Sequence, residues 1–235
     1  MGVPMKRSVI TTLAALIALS LLPASAFAGD KGTEKSSKTK AVATSTTATP
    51  SVKCRPTTAT GHQPPAFTPP AIKPPFKNRT FTFTTNCGDI VVAADGQHAQ
   101  LTVLALTALA KGGYFDQTLC HRLTTAGLFV LQCGDPTATG SGGPQFTYRD
   151  ENLPTVTNND YPAGIVAMAN SGPNTNGSQF FFVYADTTLP PSYTRWGVIT
   201  KGLDILKAIA AQGTANGSGD GAPKQSVAIE KVSVR

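Results

Sequence analysis

Two stretches of the sequence decide the fold: CHRLTTAGLFVLQCGDP from Cys120 to Pro136, and MANSGPNTNGSQFFF from Met168 to Phe182. In both, short runs of β-branched or aromatic residues are interrupted by small and polar residues that favour turns. Runs of the same kind, each long enough for one strand, lie at 118–123, 129–132, 165–168, 180–183, 196–200 and 227–234. Many short strands with glycine-rich turns predict a mainly β domain, and periodicity alone leaves a barrel and a sandwich both open.

The sequence around these stretches adds a hairpin and two helices. Phe81 and Phe83 alternate with threonines, and a β-branched run at 90–92 follows a Cys-Gly pair, which predicts a strand, a tight turn and a second strand. Leucines and alanines recur at helical spacing over 101–109, where two glycines end the run, and again over 203–211. We expect both helices to be core elements.

The first 79 residues differ in composition from the rest. Residues 1–28 combine a basic start, an apolar run and the pattern Ala26-Phe27-Ala28, which predicts a signal peptide cleaved after Ala28. The apolar run is shorter than the about 20 residues of a membrane-spanning helix, so no span is expected after cleavage, and an uncleaved anchor is the alternative. Residues 29–79, rich in Lys, Ser, Thr and Pro, predict a disordered tether. Residues 80–235 are expected to fold, in a secreted or other extracytoplasmic protein.

The charge of the chain does not indicate nucleic-acid binding. The formal net charge is +7, and part of this excess lies in the signal and the tether. No aromatic platform or recognition motif accompanies the basic residues. A basic tether is compatible with association with an anionic cell envelope. We expect a monomer without a nucleic-acid partner.

Metal and covalent chemistry find little support. His62, His98 and His121 are too scattered for a zinc site. Cys120 and His121 are neighbours on a predicted strand and would point to opposite faces, so they do not form a nucleophile and base pair. Gly140-Ser141-Gly142 lacks the strand, elbow and helix of an esterase serine. We therefore expect no metal and no cofactor.

The two stretches that open this section resemble the cyclophilin family. The first is similar to the family's strand with His-Arg, a turn, and then Phe, an apolar residue, any residue and Gln before Gly-Asp; the second is similar to Met-Ala-Asn followed by Asn-Gly-Ser-Gln-Phe-Phe. The resemblance extends over about 80–235. It implies peptidyl-prolyl cis-trans isomerase activity on proline-containing polypeptides. It also implies a closed eight-stranded antiparallel barrel capped by two helices, with the active groove on its outer surface.

The resemblance also implies the residues of the site. Arg122 is expected to donate to the prolyl amide, Gln132 to hold Arg122 or the substrate carbonyl, and Phe129 to pack against the proline ring. The catalytic set is thus Arg122, Phe129 and Gln132. The expected substrate-binding residues are Val130, Ala169, Asn170, Ser171, Gln179, Phe181, Leu189 and Tyr193.

The chain departs from the family pattern in three places. From Arg122 to Gln132 is two positions more than the usual spacing, which predicts a longer turn over 124–127. Such a turn could move Phe129, which is still assigned to the catalytic set. Thr188 replaces the usual tryptophan and Tyr193 the usual histidine, which puts cyclosporin binding in doubt more than isomerase activity.

Four cysteines in an exported chain predict disulfides, with three possible complete pairings among Cys54, Cys87, Cys120 and Cys133. If Arg122 and Gln132 face the groove, strand alternation places Cys120 on that face and Cys133 on the other. A bridge between Cys120 and Cys133 is therefore disfavoured, and Cys87 is the expected partner of one of them.

Three functions fit the sequence. The first is a foldase that isomerises X-Pro bonds of exported proteins. The second is a non-catalytic module of the cell envelope that binds proline peptides in the same groove. The third is a structural envelope protein in which the tether is the functional part.

Overall fold

A computed structural model describes residues 52–64, 66–72, 74–155 and 160–235, and an antiparallel sheet forms its framework. The strands and helices of these residues are β1 Arg79–Thr85, β2 Gly88–Ala94, α1 Gln100–Lys111, β3 Thr118–Leu119, β4 Arg122–Thr124, β5 Val130–Cys133, β6 Ile165–Met168, β7 Phe180–Val183, β8 Arg195–Lys201, α2 Leu203–Ala211, β9 Asp220–Gly221 and β10 Ala228–Val234. The mainly β fold with two helices is confirmed. The predicted signal peptide lies outside the described residues.

The sheet is open, which corrects the expectation of a closed eight-stranded barrel. Its ten strands follow the order β3-β10-β1-β2-β8-β6-β7-β5-β4-β9, so it begins at β3 and ends at β9. Only Cys120 and His121 separate β3 from β4. Across this break the chain changes its partner from β10 to β9. One short segment therefore supplies the first strand of the sheet and the strand next to its last. The predicted single strand is split in two.

Aromatic rings fill the inner face of the sheet. Phe81 and Phe83 are buried because they alternate with threonines along β1. Trp196 is fully buried and meets Phe81 and Phe180 edge-on, with ring centroids 5.3 and 5.9 Å apart. Such edge-to-face pairs add to the stability gained by burying the rings. The main core therefore lies on the inner face of the sheet, and this face is not available for a functional groove.

The predicted glycines end the first helix, and another glycine precedes the second. Helix α1 ends at Gly112, whose N–H donates to the carbonyl oxygen of Ala108, and Gly113 follows with a φ of +72°. Helix α2 is preceded by Gly202, whose φ of +93° favours glycine. Both helices bury one apolar face, including Leu106 of α1 and Leu206 of α2.

The described part of the predicted tether is packed against the domain. Cys54 is buried and disulfide-bonded to Cys87. The Arg55 N–H donates to the carbonyl oxygen of Asn86 at 2.8 Å, and the His62 N–H donates to that of Pro136 at 2.9 Å. This differs from the expected disorder, because proline-rich composition does not reveal a covalent anchor. We call the described residues of this part, 52–64, 66–72 and 74–78, the arm. The tether before residue 52 lies outside the described residues.

The disulfides correct the expected pairing. They join Cys54 to Cys87 and Cys120 to Cys133. The argument from alternation required Cys120 to lie on the strand that carries Arg122. Cys120 lies instead in the break between β3 and β4, where its N–H donates to the carbonyl oxygen of Val227. Its side chain is therefore free to meet Cys133.

Candidate functional site

A row of four residues crosses the sheet from β4 to β6. Arg122 lies opposite Gln132 on β5, Gln132 lies opposite Phe181 on β7, and Phe181 lies opposite Ala167 on β6. Residues in register on adjacent strands share one face of a sheet. This face is opposite the one on which Phe180 and Phe182 pack into the main core. A charged group, an amide and an aromatic ring are thus aligned on the outer face.

Two glutamines extend this row into a hydrogen-bonded chain. Arg122 Nη1 donates to Gln132 Oε1 at 3.3 Å, and Gln132 Nε2 donates to Gln179 Oε1 at 2.8 Å. Gln179 Nε2 in turn donates to the carbonyl oxygens of Gly140 and Gly142, at 2.9 and 2.8 Å. Each amide therefore has a defined orientation. These hydrogen bonds couple the position of Arg122 to the loop that contains Gly140 and Gly142.

That loop, residues 137–142, is built around the buried carboxylate of Asp135. The carboxylate accepts hydrogen bonds from the backbone N–H groups of Thr137, Thr139, Gly140 and Gly142, at 2.7 to 3.1 Å. Burial acts to raise the pKa of Asp135, and the bonds from Thr137, Gly142 and Gly140 outweigh it, so its pKa lies below the usual range. Sequence reasoning missed this role, although the Gly-Asp pair at 134–135 lies within the first of the two stretches it used.

Asp220, a residue that sequence reasoning also missed, holds the other edge of Arg122. Arg122 Nε donates to Asp220 Oδ1 at 2.8 Å and Nη2 donates to Oδ2 at 2.6 Å. The hydrogen bond to Asp220 raises the pKa of Arg122 and lowers that of Asp220. The guanidinium is therefore fixed on two sides, by a carboxylate and by Gln132.

An apolar patch lies beside this polar row. Val130, Tyr161, Ala167, Phe181 and Val183 form a buried cluster, separate from the main core. Ile165, Ala169, Leu189 and Tyr193 pack against it. The structure therefore brings together five residues that the resemblance assigned to substrate binding. Those five are Val130, Ala169, Phe181, Leu189 and Tyr193.

Tyr161 supports this patch and was not predicted. Its ring is fully buried, and its hydroxyl donates to the carbonyl oxygen of Tyr193 at 3.1 Å and accepts from the Tyr193 N–H at 3.0 Å. Burial raises the pKa of Tyr161 to about 12. The ring of Tyr193 meets Phe181 edge-on with centroids 5.6 Å apart. Tyr161 thus fixes the loop that places Tyr193 beside Phe181.

Phe129 is not part of the patch. It precedes Val130, which takes the patch side, so alternation turns Phe129 towards the main core. There its ring meets Tyr184 with centroids 6.0 Å apart, and its N–H donates to Thr187 Oγ1. The longer turn after Thr124, with Gly127 at a φ of +73°, leads into this placement. The structure therefore separates Phe129 from Arg122 and Gln132.

Asn170 and Ser171 lie at a cavity of about 230 Å³ next to the row. Asn170 Nδ2 donates to the carbonyl oxygen of Ser192 at 2.8 Å, and the Ser171 N–H donates to Thr175 Oγ1 at 2.9 Å. Gln132, Gln179 and the loop glycines complete the lining. The cavity joins the polar row to the 137–142 loop, and it is large enough for a side chain of a bound peptide.

The described residues contain no group of three His, Cys, Asp or Glu side chains placed to bind a metal ion. Over the same ranges, no helix is both long and apolar enough to cross a membrane.

Curated mycobacterial proteins are similar to this chain over about two thirds of its length. The chain is similar to the probable peptidyl-prolyl cis-trans isomerase B of Mycobacterium leprae, with 45% identity over 163 residues that cover 64% of this chain and 55% of that protein. The protein of the same name from Mycobacterium tuberculosis is 43% identical over 166 residues, which cover 64% of this chain and 53% of the relative. The chain therefore spans about half the length of these curated relatives.

Solved structures share its fold. A cyclophilin type peptidyl-prolyl cis-trans isomerase from Cryptosporidium parvum matches with a TM-score of 0.57 at 26% identity, covering 68% of this chain and 98% of that one. A structure of the same protein in the presence of the dipeptide Ala-Pro matches with a TM-score of 0.56 at 26% identity and covers 66% of this chain and 98% of that one. The family model for cyclophilin type peptidyl-prolyl cis-trans isomerases matches residues 80–234. This chain therefore belongs to the cyclophilin-type peptidyl-prolyl cis-trans isomerase family.

Proposed function

We propose that this chain catalyses cis-trans isomerisation of X-Pro peptide bonds. The observation that carries the proposal is the row in which Arg122 and Phe181 flank Gln132 on one face of the sheet. It places hydrogen-bond donors next to an apolar surface. Family membership and the similar structure obtained in the presence of Ala-Pro support the same activity.

The isomerisation requires no covalent catalysis. Resonance sets a barrier of roughly 18–20 kcal/mol to rotation about the peptide bond, and no bond is made or broken. Catalysis requires only that the twisted amide be bound more tightly than the planar one. Side chains that bury the proline ring and donate hydrogen bonds near the amide suffice.

The residues of the site meet both requirements. Val130, Phe181, Leu189 and Tyr193 form the apolar surface on which the pyrrolidine ring would pack. Arg122 uses three of its five N–H groups on Asp220 and Gln132. The remaining donors are available to the substrate as rotation localises the lone pair on the prolyl nitrogen, a form of preorganised electrostatic stabilisation. Asn170, Ser171 and Gln179 would bind the flanking peptide.

The proposed clients are exported proteins with X-Pro bonds. Two disulfides fit an oxidising compartment, and residues 1–28 carry the features of a signal peptide. A secreted monomer, with envelope association through the basic tether, is the proposed state. N-terminal sequencing of the exported protein would test cleavage after Ala28, and a retained residue 1 would contradict it.

The activity is tested by NMR exchange between the cis and trans forms of an Ala-Pro peptide, with the full chain and both disulfides formed. We expect the chain to accelerate exchange and Arg122→Ala to remove about 10²-fold or more of the acceleration while peptide binding is kept. Arg55→Ala is the matched control, since Arg55 also pairs with a carboxylate, Glu230, at 2.8 Å. Binding without acceleration would identify a proline-peptide module. If the chain neither binds the peptide nor accelerates its exchange, both functions are refuted.

A further inference from the structure

We propose that Asp220 is a positioning residue, which holds the Arg122 guanidinium in the orientation that the reaction uses. This inference rests on the proposed isomerase function. It adds to the site a carboxylate that no motif of the sequence indicated.

The sheet places Asp220 where it meets Arg122. Strand β9 pairs with β4, with Thr124 opposite Asp220 and Leu123 opposite Gly221. Arg122 is two residues from Thr124 on the same strand and so shares its face. Asp220 is therefore a diagonal neighbour of Arg122, at a separation that a long side chain spans.

The turn before Asp220 is held by its own polar groups. Asn216 Oδ1 accepts from Thr214 Oγ1 at 2.9 Å and from the Ser218 N–H at 3.0 Å, and Ser218 Oγ donates to the carbonyl oxygen of Asp220. A Cβ at Gly219 would lie 2.8 Å from Cβ of Ala126. Glycine thus allows the turn to approach the hairpin closely, and Asp220 is presented on a backbone that is itself fixed.

The contact between Arg122 and Asp220 is bidentate. Both oxygens of Asp220 are engaged, one by Nε and one by Nη2. A planar guanidinium held bidentately loses its freedom to rotate, which a single hydrogen bond to Gln132 would not achieve. Positioning matters in catalysis because a misplacement of about 1 Å costs about 10²-fold in rate.

The exposure of the pair indicates a role in function more than in stability. The side chain of Arg122 is 39% exposed and that of Asp220 is 54% exposed. Ion pairs this open to solvent contribute little to folding. A change at Asp220 should therefore alter turnover without unfolding the protein, and the two effects are separable by experiment.

The test compares four variants of the full, disulfide-bonded chain in the Ala-Pro exchange assay: Asp220→Asn, Arg122→Ala, the double variant, and Glu230→Gln. The last removes the carboxylate of the Arg55 pair and is the matched control. We expect Asp220→Asn to lower kcat about tenfold or more, with peptide affinity within about twofold of the original and an unchanged Tm. Glu230→Gln should leave kcat unchanged.

Two further readouts separate positioning from a general structural effect. In the Arg122→Ala background, Asp220→Asn should have no additional effect, because Asp220 acts only through Arg122. The Arg122 Nε–H signal in the ¹⁵N NMR spectrum should shift and exchange faster with water in Asp220→Asn. Full kcat in Asp220→Asn would overturn the positioning role alone. So would a loss of kcat from Asp220→Asn that is as large in the Arg122→Ala variant as in the original chain. Full activity of Arg122→Ala would overturn both the positioning role and the proposed mechanism.

Discussion

Cys120 and Cys133 are bonded to each other at the base of the hairpin that carries Arg122 and Gln132. The cross-link lies two residues before Arg122 and one after Gln132. Both cysteines are buried. The two polar side chains at the centre of the proposed mechanism therefore lie on a hairpin whose open end is covalently closed.

The first prediction concerns the two disulfides. Cys120→Ala/Cys133→Ala should lower the free energy of unfolding by about 2–4 kcal/mol and also lower kcat, because the hairpin can then open. Cys54→Ala/Cys87→Ala should lower stability to a similar extent and leave kcat within about twofold, since this bond anchors the arm away from the row. Urea unfolding followed by the fluorescence of Trp196, together with peptide exchange, measures both. Equal loss of kcat in the two pairs would show that the hairpin bond has no special part in catalysis.

The second prediction separates two phenylalanines. Phe181→Ala should abolish most peptide binding and turnover, because Phe181 lies in the apolar patch. Phe129→Ala should cost about 1–3 kcal/mol of stability, less than a fully buried ring, and retain turnover, because Phe129 packs on Tyr184 instead. Binding of an Ala-Pro peptide and its exchange rate should be measured for both. A comparable loss of binding in Phe129→Ala would place that ring at the substrate after all.

The third prediction concerns the amide chain. Gln179→Ala removes the bonds to the carbonyl oxygens of Gly140 and Gly142 and the acceptor of Gln132. We expect peptide affinity to fall about tenfold, with a smaller change in kcat, since three hydrogen bonds of about 0.5–1.5 kcal/mol each are lost. Gln212→Ala, which removes an exposed amide near the arm, is the control. Unchanged affinity in Gln179→Ala would mean that the loop keeps its shape without the amide.

The fourth prediction is a pH dependence from Asp135. Because its folded pKa is lowered, the stabilisation is complete above the pKa of an unfolded aspartate, about 3.9. It is lost as the pH falls from there through the folded pKa. Asp135→Asn should cost about 2 kcal/mol at pH 7 and flatten the loss of stability as the pH falls below about 4. Urea titrations of both proteins across that range, with Asp204→Asn as control, provide the measurement. An equally steep acid loss in Asp135→Asn would contradict it.

The sequence predicted those parts of the fold and site that depend on local pattern. Alternation identified β1 through Phe81 and Phe83, and helical spacing identified both helices. The family motifs placed Arg122, Gln132 and Phe181, which the register then aligned. These features follow from the identity of residues close together in the chain.

The missed features depend on contacts between distant segments. Asp220 meets Arg122 only because β9 pairs with β4, and a two-residue strand leaves no periodic signal. Tyr161 lies outside the motifs and acts by packing. The predicted disulfide pairing was wrong because the break between β3 and β4 interrupts the alternation of side chains on which the prediction relied. The packed arm was missed because its anchor, Cys54, finds its partner 33 residues away.

The Cys54–Cys87 bond also determines how this domain would respond to tension. A force applied through the residues before 52 acts on the fold at Cys54. The disulfide transmits this force to Cys87, in the turn between β1 and β2. The residues between the two cysteines, including most of the arm and all of β1, are bypassed. Strand β1 would therefore not be peeled from β10 by such a force. The covalent bond thus carries a load that β1 would otherwise bear.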